Sequence, residues 1–383
     1  MRVETTDRAN RMGIVLQGGG ALGAYEWGVL QRLYAEDWFK PDVISGVSIG
    51  AITAATIAAP KRKNPVEALK ALWGALTINA PDIVPTYIQR HLAAFGNPQF
   101  YHARHDYYAF PSWTSYYDTT PLLGLLESIV DFEVLNNDTA GPQLIVTATD
   151  VVSGEIMSFS NRGPYKTEIT PKHILASGSL PPGFPMTEIG GRYFWDGGLF
   201  SNTPLSPVIE SLDASDDAEN ILIVVNLFPS RGSLPTNMGD VHSRILEINF
   251  SNKISKNVKN TERINDFCQL VKAIDPLLPA SVKAMEAWQN LVRYTVIGDM
   301  IYITNDRAES AGAAMDFSAA SIESRRASGF ADAGAALADR PNRLAKKAAI
   351  QEQMKRASEA AGAPQTGKAT VAEARVRERD KTA

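Results

Sequence analysis

The sequence predicts an α/β protein: a mostly parallel central sheet flanked by helices in three α/β/α layers, with a helical C-terminal extension. Short apolar strands alternate with helices over residues 12–60, and a β–α–β order implies parallel strands. Residues 221–227, ILIVVNL, form an apolar, β-branched run without alternation. Such a run is typical of a strand buried on both faces of a sheet.

Apolar runs and helical spacing assign the remaining elements in order. Residues 12–16 form a strand that stops before three glycines, and 21–34 form a helix. Further strands are predicted at 42–45, 143–147, 156–159 and 300–304, and further helices at 49–60, 61–80, 121–130, around 174, over most of 241–294, and at 319–339. Pro341 is expected to end the last helix, because proline cannot continue the hydrogen-bond ladder.

We expect four parts in the chain: an N-terminal arm (1–11), a main α/β domain (12–228), a C-terminal helical extension with a late strand (229–340) and a charged, flexible tail (341–383). The main domain contains an aromatic-rich insertion at 87–117. Aromatic residues line apolar pockets and also fill cores. The insertion is therefore predicted either to line or cover a pocket, or to pack over the sheet edge.

Charge and cysteine content exclude several classes of protein. The 38 Lys and Arg against 42 Asp and Glu give a net charge of −4, so no strong positive field would attract nucleic acid, and none is expected as a partner. Cys268 is the only cysteine. It permits neither an internal disulfide nor a zinc site with two cysteines, and a free thiol suits the cytoplasm. No metal or other cofactor is expected.

No segment is long and apolar enough to span a bilayer. The longest near-apolar run, 49–60, is shorter than the roughly 20 residues a membrane helix needs. We therefore expect a soluble protein whose membrane contact would be peripheral. The basic excess of the tail could touch anionic lipid, although a solvated tail is the simpler interpretation. The sequence does not indicate an oligomeric state.

The first element with chemical potential is the glycine loop, defined here as Gly18–Gly23. It matches G-x-G-x-x-G, with Asp42 about 20 residues later, which is one signature of dinucleotide binding. The spacing also suits a nest of main-chain N–H groups at a helix N-terminus, and such a nest stabilises any anion, including the oxyanion of acyl transfer. The glycines concerned are Gly18, Gly19, Gly20 and Gly23.

The second element is Gly46-Val47-Ser48-Ile49-Gly50, between a predicted strand and a helix. This is the nucleophile-elbow pattern, in which a strained turn exposes the serine hydroxyl. The third is Asp196-Gly197-Gly198, which is either an ordinary turn or a bend that directs a carboxylate into a cleft.

A hydrolase hypothesis uses all three elements, whereas dinucleotide binding uses only the first. The strand before Ser48 is expected beside the strand before the glycine loop. Both loops would then open at the carboxyl edge of the sheet, where open α/β sheets place their ligands. A Ser48–Asp196–His242 triad is a rival arrangement, but Ser48 follows only the second strand and His242 lies in a polar segment. The other histidines show no metal-ligand spacing.

Together the motifs resemble those of the patatin-like phospholipase family. The matching segments are GGGALGAYEWGVL at 18–30, GVSIG at 46–50, ILASGSLPPGFP at 174–185 and DGG at 196–198. They extend over residues 12–228, and the remainder is similar to the C-terminal extension of a bacterial branch.

This resemblance implies a Ser48–Asp196 dyad, with Ser48 as nucleophile and Asp196 as general base. The N–H groups of Gly18, Gly19 and Gly20 would form the oxyanion hole, with motif support from Gly23, Gly46, Gly50, Gly197 and Gly198. Leu22 stands where many members have Arg or Lys, which puts a preference for charged headgroups in question.

The expected activity is hydrolysis of lipid acyl esters, of phospholipase A or lysophospholipase type, through an acyl-serine. Three alternatives stay open. A hydroxyalkanoate polyester could be hydrolysed by the same dyad, the glycine loop could bind a dinucleotide in an oxidoreductase, or the fold could be a catalytically silent scaffold.

Overall fold

A computed structural model describes residues 11–62, 64–212, 220–228, 234–236, 238–292, 295–307, 309 and 312–362. Most of the predicted arm and the end of the predicted tail lie outside these residues. The predicted division into four parts therefore stays a prediction.

Eleven strands and twelve α-helices occupy the described residues. The strands are β1 (Met12–Leu16), β2 (Val43–Gly46), β3 (Gly96–Asn97), β4 (Tyr101–Ala103), β5 (Tyr117–Asp118), β6 (Gln143–Asp150), β7 (Ile156–Ser160), β8 (Thr187–Ile189), β9 (Arg192–Asp196), β10 (Asn220–Asn226) and β11 (Ile297–Thr304). The helices are α1 (Ala24–Leu33), α2 (Ile49–Ala58), α3 (Pro65–Leu76), α4 (Thr86–Gln89), α5 (Thr120–Ile129), α6 (Phe132–Asn137), α7 (Pro171–Ser177), α8 (Leu205–Ser211), α9 (Met238–Ile274), α10 (Ala280–Lys283), α11 (Glu286–Val292) and α12 (Ala319–Gly362).

The main sheet has the order β11-β10-β1-β2-β6-β9-β8, and β7 also pairs with β6. The five strands from β11 to β6 are parallel, while β7, β8 and β9 join in antiparallel fashion. The predicted α/β class and the predicted neighbourhood of β1 and β2 are confirmed.

Strand β6 brings two distant parts of the chain to one place. β7 pairs along one edge of β6, opposite residues 145–149, so β2 and β9 must share the other edge. On that edge Gly46 lies opposite Val146 and Asp196 lies opposite Ala148. The end of β2 and the end of β9 are thus about two residues, or roughly 7 Å, apart along β6.

The two faces of the sheet bury different sets of side chains, because successive residues of a strand point to opposite faces. Ile14 and Leu16 of β1 belong to the large core that includes α1, α2, α3 and α5. Val15 faces the other way and packs with Leu205 and Val208 of α8. This alternation gives the layered arrangement that the apolar runs predict.

The C-terminal part of the chain completes this fold. β11 extends the main sheet beside β10, and α12 packs along α1, where Tyr25 donates a hydrogen bond to Asp332 at 2.9 Å. The late strand predicted from the sequence is confirmed, and it belongs to the main sheet.

The prediction that Pro341 ends the last helix is wrong, because α12 continues to Gly362. Arg340 and Arg343, on either side of the proline, both pair with Asp299 of β11, at 2.7 and 3.9 Å. Arg340 also lies over the Trp38 ring. These contacts fix the chain before and after the proline and offset the loss of one ladder hydrogen bond.

None of the helices in the described part of the chain combines the length and apolar character needed to cross a membrane.

Candidate active site

Ser48 lies at a sharp turn between β2 and α2, as the elbow pattern predicts. It is the non-glycine residue with positive φ (56°) in the described backbone, a conformation that most side chains avoid. The turn needs glycine on both sides: a Cβ at Gly46 would lie 2.1 Å from the Gly50 carbonyl oxygen, and one at Gly50 would lie 2.5 Å from the Leu16 oxygen. The motif glycines therefore allow β1, β2 and α2 to approach closely.

Ser177, at the end of α7, fixes the main chain of Ser48. The Ser48 N–H donates to the Ser177 carbonyl oxygen at 3.1 Å and to its Oγ at 3.0 Å. The Ser177 hydroxyl in turn donates to the Thr147 carbonyl oxygen at 2.7 Å. This chain of hydrogen bonds ties the elbow to β6 and leaves the Ser48 side chain facing the cavity described below.

Asp196 ends β9 and is 2% exposed. Its main-chain N–H donates to the Ser179 oxygen at 3.0 Å, and its carbonyl oxygen accepts from the Thr149 hydroxyl at 3.0 Å. One carboxylate oxygen accepts from the Gly198 N–H at 2.7 Å. Two of these bonds fix the main chain of Asp196 and one holds its carboxylate, while little water reaches the side chain.

The Ser48 hydroxyl and the Asp196 carboxylate line the same cavity, close enough for the hydroxyl to lower the pKa of the carboxyl group. Burial raises the pKa of Asp196 to about 7, against the opposing hydrogen bonds from Ser48 and from the Gly198 N–H. Desolvation disfavours the charged form, so it outweighs the two donors. A carboxylate with a pKa near neutrality is a better proton acceptor than an ordinary aspartate.

The glycine loop lies directly beside Ser48. A Cβ at Gly18 would lie 2.8 Å from Ser48 Cβ, and the Gly18 carbonyl oxygen accepts from Asn202 Nδ2 at 3.0 Å. Within the described residues, the N–H groups of Gly18, Gly19 and Gly20 donate to no protein acceptor. They stand at the start of the turn that leads into α1, where main-chain N–H groups favour an anion.

The dinucleotide interpretation does not fit this arrangement. Asp42, its candidate ribose ligand, precedes β2, accepts from the Met12 N–H at 2.7 Å and lies near Arg11. It is at the amino edge of the sheet, opposite the glycine loop. On one side Gly20 is covered by protein atoms, since a Cβ at Gly20 would lie 2.3 Å from the Ala314 oxygen.

An apolar cavity of about 110 Å³ opens at the Ser48 hydroxyl. Its walls come from α2, the aromatic insertion, the segment after α7, the end of β10, α9 and the segment before α12. The large apolar wall residues are Ile49, Ile52, Phe100, Tyr101, Leu180, Phe184, Phe228, Phe250, Met315 and Phe317, and the lining also includes Asp196, Asn202 and the three glycines. Such a cavity suits an acyl chain.

One part of the aromatic insertion lines the cavity, which is one of its predicted roles. Phe100 and Tyr101 are buried and form ring contacts with Phe184 next to the cavity. Tyr107 and Tyr108 are exposed on the outside. Between these parts, β3, β4 and β5 form a small antiparallel sheet that the aromatic-rich sequence did not predict.

The structure brings the predicted site residues together at one edge of the sheet: Gly18, Gly19, Gly20, Gly23, Gly46, Ser48, Gly50, Asp196, Gly197 and Gly198. Sequence reasoning missed Ser177 and Asn202. Ser177 lies within the quoted ILASGSLPPGFP segment, and Asn202 follows Asp196 by six residues, but neither position has a pattern that shows its contact.

Among the described residues, no histidine lines the cavity around Ser48 and Asp196. His173 caps α7 through its contacts with Thr170. The side chain of His242, the rival triad member, lies outside the described residues. No group of three or more potential metal ligands occurs among the residues that the structure describes.

Comparisons with known families agree with this geometry. The model of the patatin-like phospholipase family matches residues 14–209, which include β1, the elbow and Asp196. A second family model, described as patatin phospholipase, matches residues 248–349. The chain belongs to the patatin-like phospholipase family. Membership in this family supports lipid acyl hydrolysis as the activity, and the second match assigns the C-terminal extension to the same group of proteins.

Two solved structures are more distantly similar to this patatin-like phospholipase. VipD from Legionella pneumophila is 15% identical over 86% of this chain and 67% of its own, with a TM-score of 0.38. The heterodimeric ExoU–SpcU complex from the type III secretion system of Pseudomonas aeruginosa is 16% identical over 66% of this chain and 51% of that chain, with a TM-score of 0.30. No curated protein matches the chain.

Proposed function

We propose that this protein hydrolyses acyl esters of lipids through an acyl-serine formed at Ser48, with Asp196 as its general base. The proposal rests on one observation: Ser48, in a strained backbone conformation, lies beside the buried carboxyl group of Asp196, whose pKa is about 7. The carboxylate can remove the hydroxyl proton directly, so no histidine is required between them.

Each proton and bond is accounted for in the proposed cycle. Asp196 takes the Ser48 proton as Oγ attacks the ester carbonyl carbon, and the carbonyl oxygen becomes an oxyanion. When the C–O bond breaks, protonated Asp196 returns the proton to the leaving alcohol. Water then loses a proton to Asp196, attacks the acyl-serine and releases the acid, and the same proton restores the Ser48 hydroxyl.

The free N–H groups of Gly18, Gly19 and Gly20 are the proposed oxyanion donors. These glycines line the cavity beside Ser48, and their N–H groups have no protein acceptor among the described residues. A preorganised donor of this kind contributes about 3–4 kcal/mol to transition-state stabilisation. The N-terminus of α2 adds a favourable dipole at the same place.

The cavity walls favour an acyl chain as the bound group, since they are aliphatic and aromatic over most of their area. The cavity walls say less about the headgroup of the lipid substrate than about its acyl chain. Leu22 is buried at 3% exposure and offers no charge to a phosphate. A phospholipase A or lysophospholipase type, a neutral lipid and a hydroxyalkanoate oligomer are therefore the substrates to compare. Peripheral lipid contact and a cytoplasmic location stay predictions.

The test combines activity with covalent labelling. We expect Ser48→Ala to abolish both the hydrolysis of p-nitrophenyl acyl esters and the labelling by a fluorophosphonate. Asp196→Asn should lower kcat by at least about 1,000-fold, as loss of an essential base does in related chemistry. The matched controls Ser206→Ala and Asp37→Asn change exposed residues and should keep full activity. Hydrolysis retained by both site variants would refute the dyad.

A further inference from the structure

The glycine loop is tied to a residue more than 300 positions away. Among the described residues, two side chains hydrogen-bond to the main chain of the loop: Asn202, and Arg325 of α12, whose Nη1 lies 3.4 Å from the Ala21 carbonyl oxygen. Arg325 is 6% exposed. A buried guanidinium therefore lies behind the loop whose front carries the proposed oxyanion donors.

The same guanidinium joins two further segments. Its Nε and Nη2 donate to the two carboxylate oxygens of Glu309 at 3.3 and 3.1 Å, and Nη1 also donates to the Asp316 carbonyl oxygen at 2.9 Å. The planar fork of arginine makes such multiple bonds with fixed geometry, which lysine cannot reproduce.

The segment around Asp316 packs against the glycine loop and forms part of the cavity wall. The Ala314 oxygen packs so closely against Gly20 that a Cβ would lie 2.3 Å from it, and Met315 and Phe317 line the cavity. The Asp316 carboxylate accepts from the hydroxyls of Ser318 and Ser321 at 2.6 Å each. Arg325 thus couples the start of α12 to both the glycine loop and the cavity wall.

We propose that Arg325 is a positioning residue of the active site: it holds the Ala21 peptide and the Ala313–Phe317 segment so that the N–H groups of Gly19 and Gly20 face the oxyanion. This inference rests on the proposed function. Arg325 lies behind the loop and outside the cavity lining, so it acts through the loop and not on the substrate. The C-terminal region would then be part of the catalytic apparatus.

Kinetics of Arg325→Met test the proposal. A displacement of the oxyanion donors by about 1 Å lowers the rate by about 100-fold. We expect that loss in kcat and in the rate of fluorophosphonate labelling, with KM little changed, because the acyl cavity keeps most of its walls. Arg325→Lys should recover only part of the activity.

Two variants separate positioning from folding. Arg325→Met combined with Glu309→Met removes both members of the buried pair, so no uncompensated carboxylate remains to unfold the chain; it should stay folded and show the same loss in kcat. Arg326→Met, one position along α12, removes an arginine that binds Glu323 and Gln31 and should keep wild-type kcat.

Hydrogen exchange gives a readout that does not depend on activity. The Leu22 amide, which donates to the Gly19 oxygen across the glycine loop, should exchange faster in Arg325→Met and in the double variant than in Arg326→Met. Wild-type labelling rates together with wild-type exchange in the Arg325 variants would overturn the positioning role. Activity retained by Ser48→Ala would instead overturn the proposed function, while the exchange measurement would still decide whether Arg325 orders the loop.

Discussion

At the scale of the residue, the buried carboxylate of Asp196 determines how activity should depend on pH. Its pKa is raised to about 7 by burial, so it is protonated, and inactive as a base, below that pH. We predict that log kcat/KM rises with a slope of one up to about pH 7 and is level above it. Ester hydrolysis measured from pH 5 to 9 would show this limb.

The pH limb needs a control for folding, because loss of structure in acid would imitate it. Circular dichroism over the same range, together with recovery of full activity after return from pH 5 to pH 8, provides that control. An acid limb near pH 4 would mean that Asp196 titrates as an ordinary solvated carboxyl and would contradict the raised pKa of this base.

Glu26 is a second buried carboxyl, and it has no part in the proposed reaction. It lies in α1 with 0% exposure, and neither carboxylate oxygen makes a regular hydrogen bond within the described residues. Burial raises its pKa well above the usual value, although the Thr53 hydroxyl and the Gln17 N–H lie close enough to oppose the shift. The folded chain therefore holds a proton there that the unfolded chain releases.

This proton makes stability depend on pH in a definite direction. Below the unfolded pKa both states are protonated, but as pH rises above it only the unfolded state ionises, so the free energy of unfolding falls. We predict that Glu26→Gln stabilises the protein by at least about 1 kcal/mol at pH 8, since one pKa unit corresponds to about 1.4 kcal/mol.

Urea unfolding at pH 4 and pH 8 checks this prediction. The gain from Glu26→Gln should shrink towards pH 4, and Glu188→Gln, on the exposed side of β8, should change stability little at either pH. A gain of equal size at both pH values would show that the substitution improves packing and that the proton is not responsible.

Local patterns were sufficient to predict the residues whose function depends on local geometry. The Gly46 requirement comes from a contact inside the elbow, with the Gly50 carbonyl, and the Gly50 requirement comes from the neighbouring strand β1 at Leu16. Both positions belong to the short pattern G-x-S-x-G, so the sequence shows them. Ser177, Asn202 and Arg325 act across 129, 184 and 304 positions. A polar residue with one distant partner leaves no periodic signal, and only the folded chain identifies it.

At the scale of the element, the parallel strands were predictable to within a few residues, because buried parallel strands are continuous apolar runs. The helix through Pro341 was not predictable, since its continuation depends on Arg340 and Arg343 meeting Asp299 on another element. Local propensity gave the wrong helix end because tertiary contacts outweighed it.

The close crossing of α1 and α12 gives a prediction at this scale. A Cβ at Gly28 would lie 1.8 Å from the Arg326 oxygen, and one at Gly329 would lie 2.0 Å from the Tyr25 oxygen. Since main-chain atoms cannot move aside, we expect Gly28→Ala or Gly329→Ala to destabilise the protein by about 3 kcal/mol. Urea unfolding monitored by tryptophan fluorescence measures this.

Gly334→Ala is the matched control on the same helix. Its new methyl group would have ordinary space, with the nearest atom, Arg32 Nε, at 3.8 Å. Because alanine favours helix over glycine, we expect a gain of about 0.5–1 kcal/mol. Equal effects at Gly28 and Gly334 would contradict a backbone contact between α1 and α12.

At the scale of the whole molecule, the two family models match separate segments of the sequence, 14–209 and 248–349. The hydrophobic core of the folded chain is nevertheless continuous across both segments. β11 gives β10 a partner strand, α12 covers α1, and Phe250, Met315 and Phe317 from beyond residue 228 close the cavity. The boundary near residue 228 therefore separates segments of sequence, but it cuts through one sheet, one core and one pocket.

Truncation turns this continuity into a prediction. A chain that ends at Phe228 loses α12 and β11, so it exposes the buried face of α1 and an unpaired, apolar β10 edge. We expect it to lack cooperative urea unfolding and to aggregate.

A chain that ends at Ala345 is the control, because it keeps Arg340 and Arg343 on Asp299 and the described side chains beyond it are exposed. It should unfold cooperatively, with a free energy of unfolding within about 1 kcal/mol of that of the full chain. A cooperative, esterase-active chain ending at Phe228 would show that the first matched region is a complete domain, and it would also contradict the role assigned to Arg325.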